Sequence, residues 1–255
     1  MFSVIFEVHP GEGRKDAYLE HGKVLKPELE NIDGFIDNER FTSRTRPGWV
    51  LSHSTWRDEK SVIRWRTHAG HHLVQEEGRF EVFSDYHLRI GEVTADSHPP
   101  QGHAVREQRL DATEVGDAKV CQLCETVPRA GQALPDDLTG ALGLALTAGG
   151  LVASDVFDSI YNPDKTMLLL SWVDADAASA FRPVAPDQAE RMRIRTVRVI
   201  RDYGMFDRRE PAVLPAGRPT GVAVSPTLRP LRHGRRRPTR HGCAGIGVTR
   251  TVCAR

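Results

Sequence analysis

The sequence predicts an α+β chain made of two tandem repeats. Residues 1–94 carry strand and helix patterns in the order strand, helix, strand, strand, helix, strand, and a looser version returns after residue 104. A Trp-x-Asp follows a strand in each half, as Trp56-Arg57-Asp58 and Trp172-Val173-Asp174. We read this as an internal duplication at a period of about 115 residues.

Phe2–Val8 alternates, with Val4, Phe6 and Val8 on one face, and His9-Pro10-Gly11 breaks it. Glu12 to Asn31 has helical spacing, with Tyr18, Leu25, Leu29 and Ile32 on one stripe and Pro27 inside the pattern as a kink or restart. Asp33-Gly34 is a turn, Phe35–Thr42 a second strand, Pro47-Gly48 another turn, and Trp49–Trp56 a third strand. Asp58 and Glu59 suit a helix start, because the helix dipole favours negative charge there. The spacing predicts one helix from about Lys60 to Glu77, with Gly78 as its C′ residue. A fourth strand follows within Arg79–Val93.

Ala95–Gln101 reads as linker material, so residues 95–104 separate a first domain (1–94) from a second, degenerate one (105–210). The second holds strand-like material in Arg106–Val127 around a Gly116-Asp117 turn and a helix candidate over Asp136–Ala148. Strands over Val152–Ile160 and Met167–Val173 come next, then a short helix at Asp174–Phe181 and a last strand at Arg193–Arg201.

The formal net charge of +1 hides an uneven distribution. Pro211–Arg255 has nine arginines and no acid, which leaves 26 basic against 34 acidic residues before it, a net of about −8. A mildly acidic body argues against a nucleic-acid-binding core. The tail, without aromatic residues, has a composition expected to be disordered. There is no run of 18 apolar residues and no basic-then-apolar leader pattern, so the expectation is a cytoplasmic protein that does not span a membrane. Cys121 and Cys124 form a CxxC on a strand, where residues three apart face opposite sides. A redox pair needs a helix N-terminus and a zinc site needs a second ligand pair. We expect two structural cysteines and no metal.

Residues 2–93 resemble the antibiotic biosynthesis monooxygenase (ABM) family. The carrying residues are Ile32-Asp33-Gly34-Phe35, Pro47-Gly48, Leu51-Ser52, Trp56, Asp58-Glu59 and Trp65-Arg66, followed by His68, His71, Gln75, Gly78-Arg79, Val82-Phe83, Asp85-Tyr86 and Arg89. The end of the second half, Arg201–Arg208, resembles the end of two-repeat members. The resemblance implies a ferredoxin-like unit, a four-stranded antiparallel sheet with two helices on one face, and pairing of two such sheets into a dimeric α+β barrel. A sheet covered on one face only leaves its other face to be buried. A second copy in the same chain could cover it, and a homodimer of the whole chain is the other arrangement.

The implied activity is cofactor-independent oxygenation of a small apolar, aromatic or quinol-like substrate by O2 in a barrel cavity. Arg64, His68, His71 and Gln75 make one polar stripe on the second helix, beside a core stripe of Val62, Trp65, Ala69 and Leu73. The stripe is either a solvated face or the lining of the cavity mouth. His68 or His71 is the candidate base and Tyr86 the candidate donor to an oxyanion. Trp65, His53, Gln75 and Phe83 are candidate substrate contacts. A branch of the family binds and degrades haem through a first-strand Asn, a helical Trp and an axial His. Trp65 matches, but Phe2–Val8 has no Asn and the axial position falls near Gln75, so His71 or His72 would have to substitute. A non-enzymatic small-molecule-binding barrel is the third reading.

Overall fold

A computed structural model describes residues 1–109, 115–145 and 147–205. The first half runs β1 (Phe2–Pro10), α1 (Lys15–Glu30), β2 (Phe35–Ser43), β3 (Val50–Trp56), α2 (Glu59–Arg66), α3 (Ala69–Glu77), a π-helical turn (Gly78–Val82) and β4 (Phe83–Asp96). The second half runs β5 (Val120–Pro128), α4 (Leu138–Ala141), β6 (Leu151–Ser159), β7 (Thr166–Trp172), α5 (Ala175–Ala180) and β8 (Ala189–Gly204). No helix among the described residues is long and apolar enough to cross a membrane.

Within each half the strands take the same antiparallel order, β4-β1-β3-β2 and β8-β5-β7-β6. The halves join where β2 pairs with β6 and β4 with β8, closing one eight-stranded barrel inside a single chain. The duplicated Trp-x-Asp does the same work twice. Trp56 and Trp172 are fully buried at the ends of β3 and β7. Asp58 and Asp174 each cap the following helix, accepting a backbone N–H three residues on at 2.8 Å.

Strand alternation divides the side chains. Ile5, Phe41, Leu51, Cys121, Phe157 and Met167 contribute to one core cluster drawn from all eight strands, which is the barrel interior. The opposite parity faces the helices. Phe2, Trp56 and Ile90 pack there with Leu29 and Val62, while Cys124 packs with Leu138, Leu168 and Trp172. The two buried cysteines therefore lie on opposite faces, and burial raises both thiol pKa values, that of Cys124 to about 12.

The barrel interior also holds charge. Arg89 pairs with Glu7, and its Nη1 donates to Ser171 Oγ at 2.6 Å. Arg195 donates to Glu125 at 2.9 Å. The β2–β6 seam has only three paired positions. It is reinforced by Arg46, which reaches both Glu7 and Asp155, and by Arg44, which grips Asp158 with two hydrogen bonds of 2.8 and 2.7 Å.

Four local expectations are corrected. The helix expected over residues 60–77 is two helices. Thr67 Oγ1 bonds back to the Ile63 carbonyl at 3.0 Å, and His68 turns extended (φ −68°, ψ 130°) before α3 begins. The stripes read along one straight helix are thereby broken: Leu73 is 67% exposed, and Val74 turns inward instead. Gly78 is right-handed and runs on into the π turn, rather than ending the helix as a left-handed cap. A side chain there would meet the Phe83 ring at 2.8 Å, so the glycine serves close approach. The helix expected over 136–148 shrinks to Leu138–Ala141, because Gly143 takes φ +80° directly after it. The linker expectation also shortens, since β4 extends to Asp96. The tail expectation for 211–255 lies outside the described residues.

Candidate functional site

Two cavities stand out among the described residues. One, of about 500 Å³, opens at the barrel end among Glu7, Arg46, His87, Arg89, Asp155 and Asp202. Its charges are matched against each other. Burial works to raise the Glu7 pKa, but the guanidinium groups of Arg89 and Arg46 on either side hold it down. His87 Nε2 meets Asp202 at 2.5 Å. That pairing leaves little to act on a ligand.

The other cavity, of about 290 Å³, lies between the helix-covered face of the sheet and α1–α3. Its floor is Val4 and Phe6 from β1 with Leu88 and Ile90 from β4, and Leu25, Leu29, Val62 and Trp65 close it from the helices. The helix residues expected at the mouth of a barrel cavity line this gap instead, on the outer face, where short broken helices cover the sheet incompletely. The barrel interior is packed by side chains from all eight strands in its middle and opens at one end into the larger cavity.

His71, Trp65, Gln75, Tyr86 and Phe83 all line this cavity. His71 sits in the first turn of α3, and its ring stacks on Trp65 at 4.2 Å between centroids and 17° between planes. His71 Nδ1 lies 2.9 Å from the Trp65 carbonyl oxygen. A carbonyl only accepts, so Nδ1 carries the proton and Nε2 keeps its lone pair. Burial lowers the His71 pKa to about 4, with the neighbouring His68 and His72 adding to the fall. The imidazole is therefore neutral at physiological pH. Tyr86 packs against Phe6 and Phe83, at 5.7 and 6.4 Å between ring centroids.

His68 and His53 are placed elsewhere. The break between α2 and α3 carries His68 out of the cavity lining to within 3.3 Å of Glu28 on α1. His53 sits in the barrel interior, 2% exposed, with Nε2 2.7 Å from Ser3 Oγ. Burial and the nearby Arg195 keep it neutral. It has the parity of Leu51, opposite to the cavity-lining Ser52 and Ser54.

Arg40, Asn38 and Tyr203 also line the cavity and were not marked as site residues by the sequence, and Tyr18, read only as part of the apolar stripe of α1, lines it too. The β2 sequence Phe35–Ser43 is polar on both faces, so no alternation marked Asn38 and Arg40. Tyr203 arrives from β8 through pairing with Leu88. Only the barrel closure brings it near.

Of the two histidines that would have to replace the haem branch's axial ligand, His72 is solvent-facing beside Glu76 and only His71 lines the cavity. The cavity lies at the lower bound of small-ligand sites.

The sequence profile for antibiotic biosynthesis monooxygenase matches residues 1–77. Jasmonate monooxygenase ABM of Pyricularia oryzae (strain 70-15) is 44% identical over 216 residues, covering 82% of this chain and 96% of that protein. Among solved structures, a candidate monooxygenase from Lactobacillus acidophilus aligns at 9% identity and a TM-score of 0.35 over 79% of this chain and 94% of its own. An aldoxime dehydratase in complex with butyraldoxime aligns at 14% identity and a TM-score of 0.49, over 80% and 81% respectively.

Proposed function

Because the chain belongs to the antibiotic biosynthesis monooxygenase family, we propose that it oxygenates a small, largely apolar substrate in the cavity between sheet and helices, without a bound cofactor. The observation that carries this is His71. It presents a neutral imidazole with a defined tautomer and a free Nε2 lone pair at an apolar cavity.

A cofactor-free route asks for a substrate whose own carbon acid supplies the electrons. His71 takes a proton from an activated methylene, and the resulting carbanion, stabilised as its enolate, is the electron donor to O2. One methylene and one dioxygen become one ketone carbonyl and one water, with one oxygen atom in each product. The balance closes without an external reductant, since the methylene carbon gives up the four electrons that dioxygen takes. Tyr86 donates to the enolate oxygen, which lowers the cost of forming it in a dry site. Phe6, Leu88 and Trp65 hold the apolar body against the sheet. A pKa near 4 makes His71 a weak base, so the reading requires a methylene already acidified by a neighbouring carbonyl.

The relative's name makes jasmonate, a cyclopentanone with an apolar side chain and a carboxylate, the first probe. Oxygen uptake by the purified full chain with jasmonate, without reductant, flavin or metal, is the expected result. The experiment sinks the cofactor-free reading if uptake requires an added reductant, or if haemin produces a shifted Soret band and restores activity.

A further inference from the structure

Three polar groups in the cavity wall have buried atoms with no hydrogen-bond partner among the described residues: Tyr18 Oη, Arg40 Nε and Tyr203 Oη. Buried donors left unmatched by the protein are costly unless something else completes them. Tyr18 is 6% exposed and Tyr203 7%, so neither hydroxyl is simply solvated. Arg201 interacts with Tyr203, so the clearer deficit lies at Tyr18 and Arg40. The Arg40 guanidinium lies 5.8 Å from the Tyr18 ring centroid. It is admitted under α1 by Gly22, where a Cβ would come within 2.6 Å of it.

Charge points the same way. Arg40, Arg66 and Arg79 line the cavity and, among the described residues, no Asp or Glu does, although the body of the chain carries an excess of acid. Arg66 is exposed and Arg79 packs along Phe80. Arg40 is the arginine with a buried, unmatched donor.

The sheet register sets these groups in line. Arg40 pairs with Ser52, Ser52 with Phe6, Phe6 with Leu88, and Leu88 with Tyr203. One row across the outer face thus runs from a guanidinium, over an apolar stretch, to a phenolic hydroxyl.

We propose that Arg40 and Tyr18 form a carboxylate-binding subsite, and that the cavity selects monoanionic apolar acids, with the acid at Arg40, the apolar body over Phe6 and Leu88, and an acceptor oxygen toward Tyr203. This deepens the monooxygenase reading and rests on the same cavity. It makes Arg40 a specificity-determining residue.

The test is calorimetric titration of the full chain, under nitrogen with O2 removed, with jasmonate and with its methyl ester, which differ in the charge of one end. The wild-type protein binds the acid at least about tenfold more tightly than the ester, the scale of a charge-assisted pair. Arg40→Gln removes that preference and binds both at the ester's affinity. Tyr18→Phe, which deletes only the hydroxyl, weakens the acid several-fold and leaves the ester unchanged, so the proposal stays open to refutation if the arginine variant misfolds. Equal affinity for acid and ester in the wild type, no binding of either, or a preference that survives Arg40→Gln overturns it. Because binding is read without turnover, acid-selective binding with no oxygen uptake overturns only the oxygenation reading. Uptake that treats acid and ester alike overturns only the subsite.

Discussion

His71 lies flat on Trp65 and also bonds to that residue's own carbonyl, at 2.9 Å from Nδ1 to oxygen. The contact crosses the break between α2 and α3, so two short helices are locked together by the group proposed to accept the proton. Ring stacking fixes the plane of the imidazole, and the carbonyl fixes its tautomer. Both leave Nε2 available.

If His71 is the base, His71→Gln lowers kcat by roughly 10²–10⁴ and changes the jasmonate dissociation constant by no more than a few-fold. Because the wild-type ring is neutral well above pH 4, kcat/KM shows no histidine inflection between pH 6 and 8. Steady-state oxygen uptake across that range checks both points. Undiminished turnover in the variant would remove His71 from the mechanism.

Stability carries the same signature. The folded-state pKa of His71 is about 4, below the ordinary 6.5. Between these values the unfolded chain binds more protons, so stability falls as pH drops from 6.5 toward 4 and the loss is complete below that. The contribution is on the order of 3 kcal/mol. Urea denaturation of wild type and His71→Gln at pH 7 and pH 4.5 measures it, and the variant loses less stability on acidification.

Removing the stacking partner exposes the imidazole. Trp65→Ala is expected to bring the His71 pKa back up toward 6.5, because burial is the main cause of its depression. Trp65→Phe, which keeps an aromatic face, moves it less. Histidine ring resonances followed through a pH titration by NMR report the shift directly. An unmoved resonance in the alanine variant would place the depression elsewhere.

Inside the barrel, Arg89 is 3% exposed and Glu7 5%. Glu7→Gln leaves the guanidinium buried without its full counter-charge, at a cost of about 3–5 kcal/mol. The double change Glu7→Gln with Arg89→Met recovers much of that, since the uncompensated charge is gone. Urea midpoints of the single and double variants decide it, and a single variant as stable as wild type would show the pair to be dispensable.

The repeated caps offer a test of the duplication. Asp58→Ala and Asp174→Ala each remove one side-chain bond to a helix N-terminus, and each is expected to cost about 1 kcal/mol. Asp58 also meets Arg57 at 3.0 Å, so its loss is the larger of the two. Thermal denaturation of the two variants compares them.

Much of the fold was legible because it rests on local chemistry. The alternation of Phe2–Val8, the turns at Gly34 and Gly48, both at positive φ, and the paired Trp-x-Asp segments each act over a few residues. The broken helix was not legible: Thr67 and His68 are ordinary helix residues by propensity, and the back-bond that ends α2 is a local choice among competing ones. This is why the stripe built on His68, His71 and Gln75 dissolved, leaving His71 and Gln75 at the cavity and His68 beside Glu28.

By itself the sequence determined the α+β class, the family, the internal repeat and the opposed placement of Cys121 and Cys124, since each follows from spacing, turn chemistry or motif order. Only the tertiary structure decided which face holds the cavity. Side chains from all eight strands pack the middle of the barrel and matched charges line its open end, so the apolar open space lies between sheet and helices. Only the tertiary structure, too, set Arg40 and Tyr203 at opposite ends of one row. Their positions depend on register between strands distant in the chain, and register is a property of the closed barrel rather than of any segment within it.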